Sequence, residues 1–284
     1  MRHIGDYTLI KVLGKGGFGE VYLSQRKDRK ELFAIKKIDR SFADDPKHKK
    51  YFESELYLLK TLNHPNIVKF VDKQTTENHY YIIMEYINGG GLSNCLKKYI
   101  EKYKMAFPEE IVQYLMRQII NTLHYIHKQK IIHRDLKLDN IMVSFDNNSD
   151  KENLDMMKAK IKIIDLGTAT QLTADKNYMT NTAIGTLNNM APTIIKNYNS
   201  NDDIDKGYDE KCDIWSIGTV CYELLFGKSV FKANSPKDLE AKINKGIYTL
   251  PNTVSKEVVS FLNCMLQYDS KKRLNTEQLL KQPF

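Results

Sequence analysis

Apolar and polar residues alternate along Tyr7 to Val12 and again along Glu20 to Leu23, on either side of a glycine cluster. A period of two predicts half-buried strands, and the glycines between them predict a hairpin. Leu32 to Ile38 is a third strand. From Pro46 to Leu62 the apolar residues Phe52, Leu56, Leu59 and Leu62 fall at helical spacing. Asn63-His64-Pro65-Asn66 ends that helix, because proline lacks an N–H and restricts its neighbour. Strands follow at Ile67 to Gln74 and Tyr80 to Tyr86, then the breaker run Asn88-Gly89-Gly90-Gly91. Beyond it the period lengthens. Glu109 to His127 carries Ile111, Val112, Leu115, Ile119, Leu123 and Ile126 on one helical stripe, with Pro108 near its start. Asp213 to Phe226 and Ser255 to Leu266 read as buried helices, and Thr276 to Leu280 as a last short one. Asp146 to Lys158 and Asn197 to Asp209 are polar and predict loop insertions. A β-rich first part and a helical second part make an α+β chain, without internal repeats.

Composition narrows the class. Of 284 residues, 42% are hydrophobic and 27% charged, with 14 glycines and 7 prolines. Collagen-like, wholly disordered and disulfide-scaffold proteins are excluded by that mix. The longest dense apolar run, Ile217 to Phe226, is far shorter than the roughly 20 residues that span a bilayer. MRHIGDY has no apolar run of a secretory signal. Cys95, Cys212, Cys221 and Cys264 form no CxxC pair, so they read as reduced thiols of a cytoplasmic protein, with the nucleus as the alternative compartment. The net charge of +8 favours anionic partners such as nucleotides. The lysines lie in short clusters (Lys47–Lys50, Lys97–Lys104, Lys271–Lys272) and make no stripe that would follow a nucleic-acid backbone, so no nucleic acid is expected.

Gly14-Lys15-Gly16-Gly17-Phe18-Gly19 fits G-x-G-x-x-G. A dinucleotide site would open a helix and meet an acid about 20 residues on. Here a strand pattern follows, and then Lys36. The glycines therefore cap a hairpin whose bare backbone N–H groups can approach phosphate oxygens. Lys36 shares a strand face with Ala34, a small residue beside a cation, while Lys37 points the other way. Lys36 needs an anionic partner. Of Glu53 and Glu55, Glu55 is favoured, because apolar Leu59 lies four residues on along the same helical face. His133-Arg134-Asp135-Leu136-Lys137-Leu138-Asp139-Asn140 follows the apolar pair Ile131-Ile132, and Ile161 to Ile164 delivers Asp165 to the turn Asp165-Leu166-Gly167. Asn140 and Asp165 offer hard oxygens suited to Mg²⁺. Asp135 is positioned as base or orienter for an incoming hydroxyl.

These motifs, in this order, resemble the eukaryotic protein kinase family from Tyr7 to Phe284. The resemblance implies one domain over 1–284 with a two-lobed fold: a small β-rich N-lobe over about 1–87, a hinge over about 85–91 and a larger, mainly helical C-lobe over about 92–284, with ATP in the cleft. It implies that Leu13, Val21, Ala34 and Met142 sandwich the adenine, that Met84 is the gatekeeper and that Glu85 to Ile87 form the hinge. Gly14, Gly16 and Gly19 would meet the phosphates. Lys36, paired with Glu55, would hold the α- and β-phosphates. Asn140 and Asp165 would bind Mg²⁺, with Mn²⁺ as the alternative ion. Asp135 would take the hydroxyl proton of a protein substrate, Lys137 would stabilise the moving phosphoryl group, and Asp213 would brace the catalytic loop. Lys137 with Gly185-Thr186 resembles the serine/threonine branch. Arg134 implies regulation by phosphorylation at Thr180, Thr182 or Thr186, of which Thr182 is preferred, Thr186 resembling a substrate-pocket residue.

The chain also departs from the family. Leu166 replaces Phe, Thr193 replaces the Glu after Ala191-Pro192, and Leu187 and Asn189 replace a Pro and an aromatic residue. Thr193 cannot pair with Arg273, which must find another acceptor or reach solvent. Gly91 stands where many kinases carry an acid, so no basic-substrate preference is expected. Gly89 to Ser93, the 144–160 insertion and Tyr268-Asp269 resemble the autophagy-initiating (Unc-51-like) group in a form common in ciliates. The altered 187–193 segment leaves an alternative function, a nucleotide-binding scaffold with little catalysis. His124 and His127 lack a third ligand and read as structural, and Trp215 as core. Substrates and oligomeric state stay open.

Overall fold

The computed structural model describes residues 3–16, 19–28, 30–174, 180, 185–199 (backbone alone for 197–199), 207–245, 248–251 and 254–284. The chain divides into two compact units, Met1–Asn88 with Asp165–Gly167, and Gly89–Ile164 with Thr168–Phe284. Asp165–Gly167 thus belongs with the first unit, away from its neighbours in sequence. The reason is local packing: a Cβ on Gly167 would lie 3.4 Å from a carboxylate oxygen of Glu55.

The first unit is a six-stranded antiparallel sheet with one main helix. Its elements are β1 (His3–Ile4), β2 (Tyr7–Gly16), β3 (Gly19–Arg26), β4 (Leu32–Asp39), α1 (Arg40–Ala43), α2 (Pro46–Thr61), β5 (Phe70–Thr75) and β6 (His79–Glu85). The strand order is β1-β2-β3-β4-β6-β5. Alternation settles the two faces. Phe33, Ile35, Tyr81 and Ile83 join Tyr7 in a buried cluster on one face. On the other, register aligns Val21 with Lys36 and Lys36 with Ile82, and Leu23 with Ala34 and Ala34 with Met84. Cross-strand partners share a face, so a buried lysine sits among Val21, Ala34 and Met84. Helix α2 starts at Pro46 behind Asp45, whose side chain accepts from the Lys47 amide, and stops at Leu62. It buries Glu55, Leu58 and Leu59. Phe52 and Leu56, expected on the buried face, are only half-buried, because Phe52 stacks on Tyr80 near the edge of the sheet.

The second unit is mainly helical. It contains β7 (Gly90–Gly91), α3 (Leu92–Tyr103), α4 (Glu109–Lys128), β8 (Ile131–Ile132), β9 (Ile141–Ser144), α5 (Asn148–Asn153), β10 (Lys160–Ile163), β11 (Thr170–Gln171), α6 (Pro192–Asn199), α7 (Lys211–Phe226), α8 (Pro236–Asn244), α9 (Lys256–Met265) and α10 (Thr276–Leu279). Helix α4 buries its predicted stripe, and α7 is buried nearly all round. The 133–140 segment runs between β8 and β9 and ends in a 3₁₀ turn, Leu138–Asn140.

One loop expectation is corrected. Asp146 to Lys158 contains α5, whose Asn147 cap accepts from the Asp150 amide at 2.9 Å. Lys158 then bridges Asp150 and Asp155, and Met156 is buried. The charges that made the stretch look solvated are spent on each other. The other insertion is shorter than expected, since α6 runs to Asn199; residues 200–206 lie outside the described ones.

Arg273 solves the problem posed by Thr193. It is 1% exposed. Its Nε donates to the Gln267 carbonyl at 2.7 Å, Nη1 to Lys211 O at 3.0 Å and Nη2 to Tyr268 O at 3.2 Å. The guanidinium also lies over the Trp215 ring, 5.1 Å from its centre, a favourable cation–π placement. Burial pulls its pKa down to about 10, against the opposing charges of Cys212, Asp209 and Asp269, so it stays charged at neutral pH. Thr193 gains nothing in exchange: its Oγ1 is buried with no hydrogen-bond partner among the described residues. An unpaired buried hydroxyl costs about 1–3 kcal/mol. The isosteric Thr193→Val is therefore expected to raise stability by about 1 kcal/mol in urea titrations. A loss of stability would mean that the hydroxyl is bonded.

Candidate active site

The first unit brings together Lys36, Glu55 and Asp165. Lys36 Nζ lies 2.6 Å from Glu55 Oε1, with both side chains largely buried. Burial alone would lower the lysine pKa, but the charges of Glu55 and Asp165 and the hydrogen bond to Glu55 outweigh it and raise the pKa. Glu53, the rejected partner, faces solvent at 63% side-chain exposure. Asp165 adopts a left-handed backbone, φ 60°, which costs an L-residue of order 1–2 kcal/mol. The Gly167 amide donates to its Oδ1 at 3.3 Å. A Cβ on Gly167 would come within 3.1 Å of that oxygen, so glycine keeps the two carboxylates at their turn. One ammonium with two carboxylates leaves a net negative charge, which suits a divalent cation.

Around this group, Val21, Ala34 and Met84 share the Lys36 face. Leu13 falls at a register shift between Val12 and Gly14 and is 41% exposed. Gly14, Gly16 and Gly19 lie at the hairpin end of β2 and β3, where Gly16 faces Gly19. Glu85 ends β6 and accepts from the Lys69 amide at 2.7 Å. Ile87 is buried.

The second unit brings together Asp135, Lys137, Asn140 and Thr186. Lys137 Nζ donates to Asp135 Oδ2 at 2.9 Å and to Thr186 Oγ1 at 2.7 Å, and Thr186 Oγ1 donates to Asp135 Oδ1 at 2.6 Å. Asn140 Nδ2 donates to the Asp135 carbonyl at 2.9 Å and to Oδ2 at 3.1 Å. With its nitrogen committed, the Asn140 oxygen remains for a hard cation. Burial pushes the Asp135 carboxyl up, but the hydrogen bonds from Thr186 and Lys137 and the charges of Lys137 and His133 bring it below the ordinary range. Asp135 is therefore an anion at neutral pH. Met142 lies on β9 opposite Gly91 and Lys162.

Asp213 anchors this loop. Its Oδ2 accepts from the His133 amide and meets His127 Nε2, each at 2.9 Å, and its Oδ1 accepts from the Arg134 amide at 2.9 Å. His124 meets Thr276 Oγ1 at 3.1 Å. Trp215 is buried beside Phe231. Thr180 and Thr186 are described; Thr182 lies outside the described residues.

Sequence reasoning missed several contacts. Thr168 Oγ1 donates to His133 O at 2.9 Å, and Asn189 Nδ2 to Thr219 Oγ1 at 2.7 Å, tying the altered 187–189 turn to α7.

Comparison with known proteins identifies the lineage. The "Protein kinase domain" family matches residues 7–284. The chain is 35% identical over 279 residues to "Probable serine/threonine-protein kinase nek3" of Dictyostelium discoideum, covering 98% of this chain and 23% of that protein. It is 30% identical over 274 residues to "Serine/threonine-protein kinase AtPK1/AtPK6" of Arabidopsis thaliana, covering 96% and 53%. It is 30% identical over 286 residues to "Serine/threonine-protein kinase cds1" of Schizosaccharomyces pombe, covering 98% and 58%. The chain thus spans between about a quarter and somewhat over half of these relatives. A β-sheet unit and a helical unit that carry these motifs in order, matched over nearly the whole length, make this chain a member of the protein kinase domain family.

Proposed function

We propose that the chain transfers the γ-phosphoryl group of ATP to serine or threonine hydroxyls of protein substrates. The observation that carries this reading is the Thr186 hydroxyl, hydrogen-bonded to Asp135 at 2.6 Å beside the Lys137 ammonium. An acceptor hydroxyl in that arrangement has its proton directed at a carboxylate and its oxygen beside a positive charge. In the proposed step the acceptor oxygen bonds to the γ-phosphorus, the bond to the β–γ bridging oxygen breaks, ADP leaves, and the hydroxyl proton passes to Asp135. Lys137 offsets charge on the moving group. Lys36, held by Glu55, positions the α- and β-phosphates. Val21, Ala34, Met84 and the hinge residues Glu85 to Ile87, with Leu13 and Met142, take the adenine. Asn140 and Asp165 would hold Mg²⁺ or Mn²⁺, which neutralises phosphate charge when bound.

The test is label transfer from γ-labelled ATP to a generic basic protein and to the chain itself, with Mg²⁺ and with Mn²⁺, beside Asp165→Asn. Signal in the wild type, lost at least about a hundredfold in the variant, is expected. Equal signal in both would remove Asp165 from the reaction and overturn the proposed step. No transfer, with ATP still raising the melting temperature, would favour the scaffold reading. Against that reading, Asn189 supplies its own bond to α7 and its carbonyl accepts from Ser216 at 2.9 Å.

The finer assignments rest on sequence alone. Gly89 to Ser93, the 144–160 insertion and Tyr268-Asp269 support an Unc-51-like kinase, though none of the three relatives above carries that name. A cytoplasmic or nuclear location rests on the scattered cysteines, and all four are free thiols. No described helix is long and apolar enough to cross a membrane.

A further inference from the structure

Helix α7 is buried nearly all round, yet it carries three polar side chains, Asp213, Ser216 and Thr219, each at most 3% exposed. They stand three residues apart, so they share one face of the helix. Buried polar groups need partners. Those of Asp213 include the His133 and Arg134 amides, just before Asp135. Those of Ser216 and Thr219 lie on the other strip of chain at the site. Ser216 Oγ is 2.9 Å from the Asn189 carbonyl, closer than the 3.2 Å to Cys212 O on its own helix. Asn189 Nδ2 donates to Thr219 Oγ1 at 2.7 Å, while the Thr219 hydroxyl donates to Ser216 O at 2.7 Å. Asn189 is thus held at its backbone and at its side chain by one turn of α7.

Asn189 closes the three-residue 3₁₀ turn Leu187–Asn189. Its amide donates to Thr186 O at 2.9 Å, and the Thr186 hydroxyl is the group that meets Asp135 and Lys137. So short a turn is marginal by itself, because it fixes several dihedrals for few hydrogen bonds. Thr186 caps it without a side-chain hydrogen bond. Leu187 leaves free the φ that a proline there would fix. The stiffness of the turn therefore comes from its surroundings. Gly185 seats the start of the strip, so close to Arg134 that a Cβ would lie 2.6 Å from the Arg134 carbonyl. Asn188 Oδ1 accepts from the Ala233 amide at 3.0 Å. Asn189 joins the Thr186 backbone directly to α7.

We propose that Asn189 is a positioning residue for the reaction: by tying the turn after Thr186 to Ser216 and Thr219, it keeps the Thr186 hydroxyl on Asp135 and Lys137. One helix then fixes both strips of the site, Asp135 by way of Asp213 and Thr186 by way of Asn189. Hydrogen bonds are directional, so this pair sets the orientation of the turn as well as its distance from α7. The inference rests on the phosphoryl-transfer reading above.

The experiment is a double-mutant cycle in the 284-residue chain. Asn189→Ala and Thr219→Val each remove one partner of the 2.7 Å bond. Phosphorylation of a threonine peptide, followed well below the melting temperature of every variant, gives kcat and the KM for ATP. Each single variant is expected to lose about threefold to tenfold in kcat, the range for one neutral hydrogen bond, with the KM for ATP within about twofold of wild type. The double variant is expected to fall no more than about twofold below the weaker single one, because both remove the same bond. Thr219→Ser keeps the hydroxyl and is expected to restore kcat to within about twofold of wild type. Should Asn189→Ala fail to fold, Ser216→Ala removes the bond to the Asn189 carbonyl and is expected to lose kcat in the same range. A lowered melting temperature with wild-type kcat in these variants would make Asn189 merely structural and overturn the proposal, with phosphoryl transfer left intact. So would losses that multiply in the double variant, a Thr219→Ser as impaired as Thr219→Val, or a loss carried by the KM for ATP. A wild type that transfers no phosphate would instead overturn the phosphoryl-transfer reading, and this proposal with it.

Discussion

Asp135→Asn is expected to lower kcat by about 10²–10⁴-fold while leaving the KM for ATP nearly unchanged. Asparagine keeps the size of the side chain and removes its capacity to take a proton. It also replaces one acceptor oxygen with a donor, so either the Thr186 hydroxyl or the Lys137 ammonium loses its partner. Lys36 and Glu55, proposed above to serve the nucleotide phosphates, share no hydrogen bond with Asp135 and keep their own ion pair. The fold is expected to hold, since Asn140 still reaches the backbone carbonyl of residue 135 and Lys137 keeps Thr186 Oγ1 as an acceptor. Steady-state kinetics beside a melting curve would check both halves. A variant with wild-type kcat would remove Asp135 from the reaction. A large rise in the KM for ATP would mean that Asp135 acts in binding.

The chemistry of the site was more legible in the sequence than its support. Lys36 could be assigned to the Ala34 face because strand side chains alternate, and Glu55 could be preferred over Glu53 from helical spacing to Leu59. Both arguments use only local periodicity, and the ion pair at 2.6 Å follows from it. The acceptors of Arg273 were out of reach, since they are backbone carbonyls, which every residue owns and no sequence pattern marks. Helix α5 was hidden for a related reason. Its stability comes from an Asn147 cap and the Lys158–Asp150 pair, not from an apolar stripe. Arg273 is a buried guanidinium served by neutral carbonyl oxygens where an anion would be expected, and Thr193 accounts for the missing anion.

Asp213→Asn is expected to cost about 3–5 kcal/mol, the range for breaking a buried charged network, out of a total that is typically about 5–15 kcal/mol. The carboxylate is fully buried, and each oxygen has work that an amide nitrogen cannot do. Oδ1 accepts from the Arg134 amide, and Oδ2 accepts from the His133 amide beside His127. A single amide oxygen serves only one side, so at least one buried N–H is orphaned. In a domain of this size the melting temperature should fall by about 10 °C. The kcat should fall as well, because Arg134 is held left-handed next to Asp135 and loses its amide anchor. The pH dependence identifies the carboxylate as the cause. Burial pushes the Asp213 carboxyl up, but the hydrogen bond from His127, the charges of His127 and His133 and the His133 amide together hold it below the ordinary value of 3.8. A depressed folded pKa means that the unfolded chain binds the proton more readily. The stabilisation is therefore complete well above pH 3.8 and is lost as the pH falls from there through the folded value. The difference in urea midpoint between wild type and Asp213→Asn should stay flat from pH 7 to about pH 5 and narrow below pH 3.8. A difference that stays constant down to about pH 3 would assign the cost to shape and not to charge. No difference at neutral pH would mean that the loop carrying Asp135 is held by something other than Asp213.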